Sequence, residues 1–314
     1  MLRDFGSLNR DTWPIAAAMI QYQNCLPDGR SVQDQSAEEW EATLGEIVEA
    51  GFDAVDPTDC WLRVGDLSPA RLEAFRKVLA RLGLTVPGVS TARKCLVEPS
   101  TVVEMTAYCH RVIDAAAALG ARTACLGLFG ALTEPQKHAL WFWTAPGYRN
   151  PDDPAIRQAT IARLRELGRH AAEVGVDIAL EMYEDTYIGT ARDAVRFVEE
   201  VDHPSVGLNP DLGNLIRLHR PIEPWQEMVA LTAPWTRYWH VKNYFREEDA
   251  TGSAISTIPA PLPMGLINYR VAVRAAIDAG FRGGFCCEHY GGDGLTVSAA
   301  NRDYLRTILP KSFV

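Results

Sequence analysis

Four residues of this chain pair acid–base chemistry with a recurring position. Glu181 closes Val-Asp-Ile-Ala-Leu-Glu, Asp211 closes Ser-Val-Gly-Leu-Asn-Pro-Asp, His240 closes Arg-Tyr-Trp-His, and Glu288 closes Gly-Gly-Phe-Cys-Cys-Glu. Each run has the apolar character of a buried strand, and each is followed by a helix-like stretch. The four residues are separated by 30, 29 and 48 positions. A strand-loop-helix unit takes roughly 30 residues, so the first two intervals are one unit each and the third is one unit with an insertion. Parallel strands connected in this way point in one direction. Four side chains at four strand C-termini therefore meet at one end of one sheet, and three carboxylates with one imidazole there make a divalent-metal site.

The elements that must position them recur eight times along the chain. Strands are expected near 15–21, 52–55, 84–89, 123–128, 176–181, 206–211, 237–241 and 285–288. Helices are expected at about 36–50, 68–82, 100–119, 154–174, 190–201, 224–233, 268–279 and 298–308. Ser36-Ala-Glu-Glu39 has the form of a capping box, and Gly51, Gly83, Gly120 and Gly280 stand where helices should end. Eight strand-then-helix units with nearly all-apolar strands predict α/β architecture, a single (β/α)8 barrel over residues 1–314. Two long loops are expected at about 129–153 and 243–265. The first holds Trp141, Trp143 and Tyr148, the second Pro259, Pro261 and Pro263. Loops of such length in a compact domain are usually functional or disordered, and the aromatics of the first argue against disorder.

Composition narrows the partners. The net charge is -9, and the basic residues are scattered, which argues against nucleic acid or an anionic membrane surface. No stretch approaches the roughly 20 apolar residues of a membrane span. The seven cysteines include no Cys-x-x-Cys spacing, so reduced thiols and a cytoplasmic location are expected. Cys286 and Cys287 are adjacent in an apolar run and should face opposite sides of a strand.

Five segments carry a resemblance: Leu180-Glu-Met-Tyr-Glu-Asp185, Asn209-Pro-Asp-Leu-Gly-Asn214, Trp239-His-Val-Lys-Asn243, Gly265-Leu-Ile-Asn-Tyr269, and Gly280 to Glu288. Together they resemble the xylose-isomerase-like barrel superfamily, strongly in the second half and only in rhythm in the first. The resemblance implies Glu181, Asp211, His240 and Glu288 on one cation, Mn²⁺ or Mg²⁺, with Co²⁺ also compatible with this donor set. It implies an isomerase or epimerase of a sugar or polyol ketone working through a metal-stabilised enediolate. The alternative is a lyase of the C-glycoside deglycosidase type, cleaving the C–C glycosidic bond of 3-keto C-glycosides. The expected partners are a small-molecule sugar or glycoside and other subunits in an oligomer. The lyase reading adds a smaller partner subunit. A nuclease acting on abasic DNA shares the fold, but the acidic chain argues against it.

Glu181 and Glu288 lie on strands across the barrel mouth, so they form the natural pair for removing and returning an α-proton. Lys242 and His289 are further catalytic candidates. Asn243, Tyr183, Asn214 and His138 are candidates for contacting substrate, His138 on condition that its loop folds over the site. His219 is expected at a helix end on the surface. Gly291-Gly-Asp-Gly294 offers backbone amides that could hold a phosphate, a weak signal.

Overall fold

A computed structural model describes residues 7–312 and 314. Its strands are β1 (Ile15–Ala18), β2 (Val55–Asp56), β3 (Gly88–Ser90), β4 (Thr123–Gly127), β5 (Asp177–Glu181), β6 (Val206–Asn209), β7 (Trp239–Val241), β8 (Asn243–Glu248), β9 (Ile255–Ala260) and β10 (Phe285–Cys287). Its α-helices are α1 (Ala37–Glu49), α2 (Pro69–Leu82), α3 (Val102–Ala118), α4 (Glu134–His138), α5 (Pro154–Val174), α6 (Ala191–Val201), α7 (Gly213–Ile216), α8 (Trp225–Thr232), α9 (Tyr269–Asp278) and α10 (Gly294–Ile308). The start and stop signals act locally. Ser36 and Glu39 form the expected reciprocal cap of α1, and Gly83 takes φ +67° at the end of α2, a conformation that costs a side-chain-bearing residue energy.

Eight strands pair in parallel as two ribbons, β2-β1-β10-β7 and β3-β4-β5-β6. Single bridges, Ala54 to Thr85 and Leu208 to Thr236, close both seams. The result is the barrel. Strand side chains alternate in period two, and the two faces bury different residues. Val55, Val89, Ile178, Leu180, Leu208, Trp239, Val241, Phe285 and Cys287 join the outer core beneath the helices. Ala16, Ala18, Ala54, Cys125, Ala179, Tyr238 and Cys286 cluster separately, within the barrel. Cys286 and Cys287 thus part to opposite faces as the sequence predicts. The interior takes the Tyr238 ring because Gly88 leaves room: a Cβ there would lie 2.7 Å from it.

The second expected loop is not irregular. Residues 243–260 form the antiparallel hairpin β8–β9, with Asn243 opposite Ala260 and Phe245 opposite Ile258. The first expected loop carries α4 and a 3-10 turn at Phe142–Thr144. Among the described residues, no helix is long and apolar enough to cross a membrane.

Candidate metal centre and active site

The inward register selects the site. Glu181 shares a face with Ala179, His240 with Tyr238, and Glu288 with Cys286, each two residues beyond a lumen-filling side chain. Asp211 follows β6 by two residues, held by the turn Asn209-Pro210-Asp211, in which the Asp211 amide donates to the Asn209 carbonyl at 2.8 Å. The Asn209 carboxamide accepts from the His240 amide at 2.8 Å and so fixes β7 against β6 at the seam. All four candidate ligands are buried, Asp211 completely.

The donors converge. Single ligand atoms of Asp211, His240 and Glu288 lie within 4.8 Å of one another. His240 Nδ1 is 2.9 Å from Glu288 Oε1 and 4.0 Å from Asp211 Oδ2. Glu181 meets His240 in a second group, with Cys125. Asn214 on α7 donates to Glu181 Oε1 at 2.9 Å and to the Met182 carbonyl at 3.0 Å, which sets the carboxylate's orientation. Lys242, inward like His240, places its Nζ 2.5 Å from Glu288 Oε2 and 2.7 Å from Asp211 Oδ2.

The donor set fits a divalent cation. Asp211 Oδ2 and His240 Nδ1 are fully buried, and their close neighbours are charged groups of the same cluster, the Lys242 ammonium at 2.7 Å and the Glu288 carboxylate at 2.9 Å, so a cation could take the place of the ammonium. The imidazole is prepared from behind. Asp56 ends β2 and Ser90 ends β3, both facing inward. Ser90 Oγ donates to Asp56 Oδ2 at 2.7 Å and lies 3.0 Å from His240 Nε2. The hydroxyl hydrogen is committed to Asp56, so Ser90 Oγ accepts from Nε2–H. That leaves Nδ1 as the nitrogen facing the carboxylates; burial opposes charge on the imidazole and Glu288, 2.9 Å from Nδ1, overcomes it and raises its pKa, so Nδ1 must give up a proton to act as a metal ligand.

The electrostatics are those of crowded buried acids. Burial, with Asp211 and Glu288 as like-charged neighbours, pushes Glu181 up to about 7. Burial acts on Glu288 in the same sense, but Lys242 and His240 outweigh it and hold that carboxyl well below its ordinary range. Burial opposes charge on Lys242, and Asp211 and Glu288 overcome it, so the ammonium stays charged.

Above the centre lies an aromatic roof. The Trp143 indole donates to Thr257 Oγ1 on β9 at 3.2 Å. Its ring stacks on Trp141 at 5.0 Å and meets Tyr244 edge-on at 5.4 Å and Tyr290 at 5.9 Å. The segment after β4 is thus folded over the mouth against the hairpin. Arg217, fully buried, forks onto both oxygens of Glu184 at 3.0 and 3.1 Å. Its guanidinium lies about 5 Å from the rings of Phe142, Trp143 and Tyr183. A cavity of about 210 Å³ opens beside this roof, lined by Arg93, Tyr148, Tyr183, Glu184, His219 and Arg220, among others.

The structure brings Glu181, Asp211, His240, Glu288, Lys242 and Asn214 together, and it sets Tyr183 in the cavity wall, where its hydroxyl accepts from Arg93 at 3.1 Å. It does not bring three other candidates to the centre. Asn243 uses both polar atoms on backbone: it donates to Leu262 and Ile267 and accepts from Tyr244 and Ile267. It closes a loop and keeps no free group for substrate. His138 is exposed at the end of α4, its ring bonded to the Glu134 carbonyl at 2.7 Å. His289 is half-buried, and burial alone lowers its pKa, with no charged group of the centre contributing. His219, expected at a helix end on the surface, is exposed three residues after α7; it borders the cavity and bonds Thr257 Oγ1 at 3.1 Å. Sequence reasoning passed over Asp56, Ser90 and Arg217, and it named Trp143 only as part of the long loop after the fourth strand.

The comparisons with known proteins agree with this picture. The family model for the xylose isomerase-like TIM barrel matches residues 44–308. A xylose isomerase-like TIM barrel protein from Mycobacterium smegmatis, solved in complex with magnesium, is 46% identical and superposes with a TM-score of 0.92, covering 96% of this chain and 98% of that one. D-psicose 3-epimerase from Clostridium cellulolyticum H10 shares 15% identity, with a TM-score of 0.66 over 95% of this chain and 99% of its own, which shows the fold. A ketose 3-epimerase from Arthrobacter globiformis is 27% identical over 214 residues, 65% of this chain and 66% of that protein, just under two thirds of its length. With the inward ligand set at the barrel mouth and a family match over most of its length, the chain belongs to the xylose isomerase-like TIM barrel family.

Proposed function

We propose that this chain is a divalent-metal-dependent epimerase or isomerase of a sugar or polyol ketone. The observation that carries the reading is the buried convergence of Asp211, His240 and Glu288 donor atoms within 4.8 Å of one another. The ketose 3-epimerase relative and the magnesium-containing relative support it. Glu181, Asp211, His240 and Glu288 hold the ion, Mg²⁺ or Mn²⁺. When bound, it supplies Lewis-acid polarisation of the substrate carbonyl.

The chain's own residues do the rest. Glu181, aimed by Asn214, removes the proton on the carbon next to the carbonyl. Glu288 comes from β10, on the other ribbon, and serves the opposite face. Delivery by Glu288 of a proton it has taken from solvent inverts the carbon, which is epimerisation, and Glu181 loses its proton to solvent in turn; delivery to the neighbouring carbon is isomerisation. Lys242, charged and buried, donates toward the oxygen on which negative charge grows. Trp143 and its neighbours exclude water from the reacting face.

The test is incubation of metal-loaded protein with D-fructose and D-psicose in deuterated water, read by NMR. Deuterium should enter the carbon next to the carbonyl, and the exchange should stop with EDTA and resume with added Mg²⁺ or Mn²⁺. Exchange that survives chelation would remove the metal from the reading.

A further inference from the structure

We infer that His110 and His170 form a Zn²⁺ site on the outside of the barrel, between α3 and α5 and separate from the barrel mouth. It does not depend on the function proposed above.

The sequence prepares it with two helical pairs. His110 and Asp114 stand four residues apart on α3, and Glu166 and His170 stand four apart on α5, so each pair shares one helix face. The two helices pack side by side, and the pairs cross between them. His170 Nε2 is 2.8 Å from Asp114 Oδ1, and His110 Nε2 is 3.5 Å from Glu166 Oε1. The two Nδ1 atoms face each other at 2.8 Å. The ring centroids lie 4.9 Å apart, with the planes at 35°. The side chains of His110 and His170 remain 30% and 21% exposed, which leaves the remaining coordination positions of an ion to water.

Each imidazole therefore has one nitrogen against a carboxylate and the other turned to its twin. A carboxylate behind one ring nitrogen is the arrangement that aims the opposite nitrogen at a metal. Here it is doubled, and the two aimed nitrogens meet. Ionised Asp114 can only accept, so His170 Nε2 donates to it. In the neutral pair His170 Nδ1 then accepts the hydrogen of His110 Nδ1. A metal ion takes the place of that shared hydrogen. His110 carries its hydrogen on Nε2 instead, toward Glu166, and both Nδ1 lone pairs bind the ion with no net loss of a proton. Two bonds of about 2.0–2.1 Å meeting at about 90–110° hold their nitrogens about 2.8–3.4 Å apart. The rings already stand at 2.8 Å, so the ligands need at most a few tenths of an ångström of separation and a turn of the rings toward a common point.

The donor atoms select the ion. Imidazole nitrogen suits Zn²⁺, whereas Mg²⁺ and Mn²⁺ prefer oxygen. The helix pair and the oxygen-rich barrel mouth thus answer to different metals. Asp114 and Glu166 place negative charge behind both rings and favour a cation between them. An ion held there ties α3 to α5.

The experiment dialyses the full chain against buffered micromolar Zn²⁺ and counts the bound metal by plasma mass spectrometry. His170→Gln and, as a second variant, His110→Gln should each hold one Zn²⁺ fewer than wild type, with an unchanged far-ultraviolet circular dichroism spectrum. The difference between the proteins reads this site, whatever the barrel mouth takes up. Asp114→Asn keeps both ligands and should bind the same number of ions, with affinity for this one about tenfold weaker. In the wild type, Zn²⁺ should move the ¹⁵N resonances of Nδ1 in both His110 and His170. Equal Zn²⁺ content in wild type and the two folded histidine variants, or Nδ1 resonances that stay in place at saturating Zn²⁺, overturns the inference.

Discussion

Substituting Ser90 by alanine tests how the imidazole proposed to hold the metal is oriented. The change removes one hydroxyl from the end of β3. Asp56 loses little, since its Oδ1 keeps the Ser90 amide at 2.9 Å and its Oδ2 keeps the Tyr238 hydroxyl at 3.0 Å. The deficit falls on His240. Its Nε2 loses an acceptor at 3.0 Å, and the carboxylate oxygen behind it stands at 4.0 Å, too far for a hydrogen bond. The ring is then free to put its hydrogen on Nδ1, the atom that faces the ligands. Loss of such a supporting partner lowers metal affinity about 10- to 100-fold, which is about 1.4–2.7 kcal/mol. The buried donor left unpaired costs about 1–3 kcal/mol of stability. Titration calorimetry with Mn²⁺ reads the first quantity and urea unfolding of the metal-free protein the second. Histidine ¹⁵N chemical shifts report directly which ring nitrogen carries hydrogen. Mn²⁺ affinity within about twofold of wild type, with Nε2 still protonated, would refute the Asp56–Ser90–His240 chain as the orienting device.

Three further outcomes follow from the same geometry. Asn214→Ala frees Glu181 Oε1 from its 2.9 Å donor and should lower the deuterium wash-in rate about 10- to 100-fold; an unchanged rate would remove Asn214 from the machinery. Lys242→Met strips the ammonium from between Asp211 and Glu288 and should cost the metal-free protein about 3–5 kcal/mol. A divalent ion restores positive charge at that place, so the Tm rise on adding Mg²⁺ should be larger in the variant than in wild type, and a smaller rise contradicts this. Asp59, buried and accepting from the Tyr108 hydroxyl at 2.6 Å, is raised by burial from 3.8 to about 7. The native state holds that proton after the unfolded chain has lost it, so this contribution to stability is full below about pH 4 and is lost as pH rises to about 7. It is on the order of 4 kcal/mol at most. Urea unfolding across that window should show a flatter profile for Asp59→Asn, and an unchanged slope would contradict it.

The strand-helix rhythm and the polar strand ends were legible because both rest on local rules. Apolar runs bounded by capping serines and glycines are readable without knowledge of their neighbours, and period-two alternation carries Glu181, His240 and Glu288 inward with the lumen-filling Ala179, Tyr238 and Cys286. The same alternation makes Lys242 an inward partner of His240. What escaped depends on contacts between distant segments. Asp56 and Ser90 sit on strands of two and three residues, too short to show a pattern, and their meaning arises only when β2 and β3 come up beside β7. Asn243 looks like a site residue because it follows His240 closely, yet each of its polar atoms closes the loop that returns to α9. The hairpin β8–β9 was hidden by Pro259, tolerated because a two-stranded ribbon is all edge. Arg217 and Trp143 belong to segments about 75 residues apart, and only the folded roof makes them neighbours.

The most direct test of the central claim is a crystal structure of the protein grown with Mn²⁺, with an anomalous difference map at the manganese edge. One peak should lie at the barrel mouth within about 2.0–2.3 Å of oxygens from Glu181, Asp211 and Glu288 and of His240 Nδ1, with the Lys242 ammonium moved off the ligand oxygens. A map without that peak at saturating Mn²⁺, or with Lys242 still lodged between Asp211 and Glu288, would contradict the account.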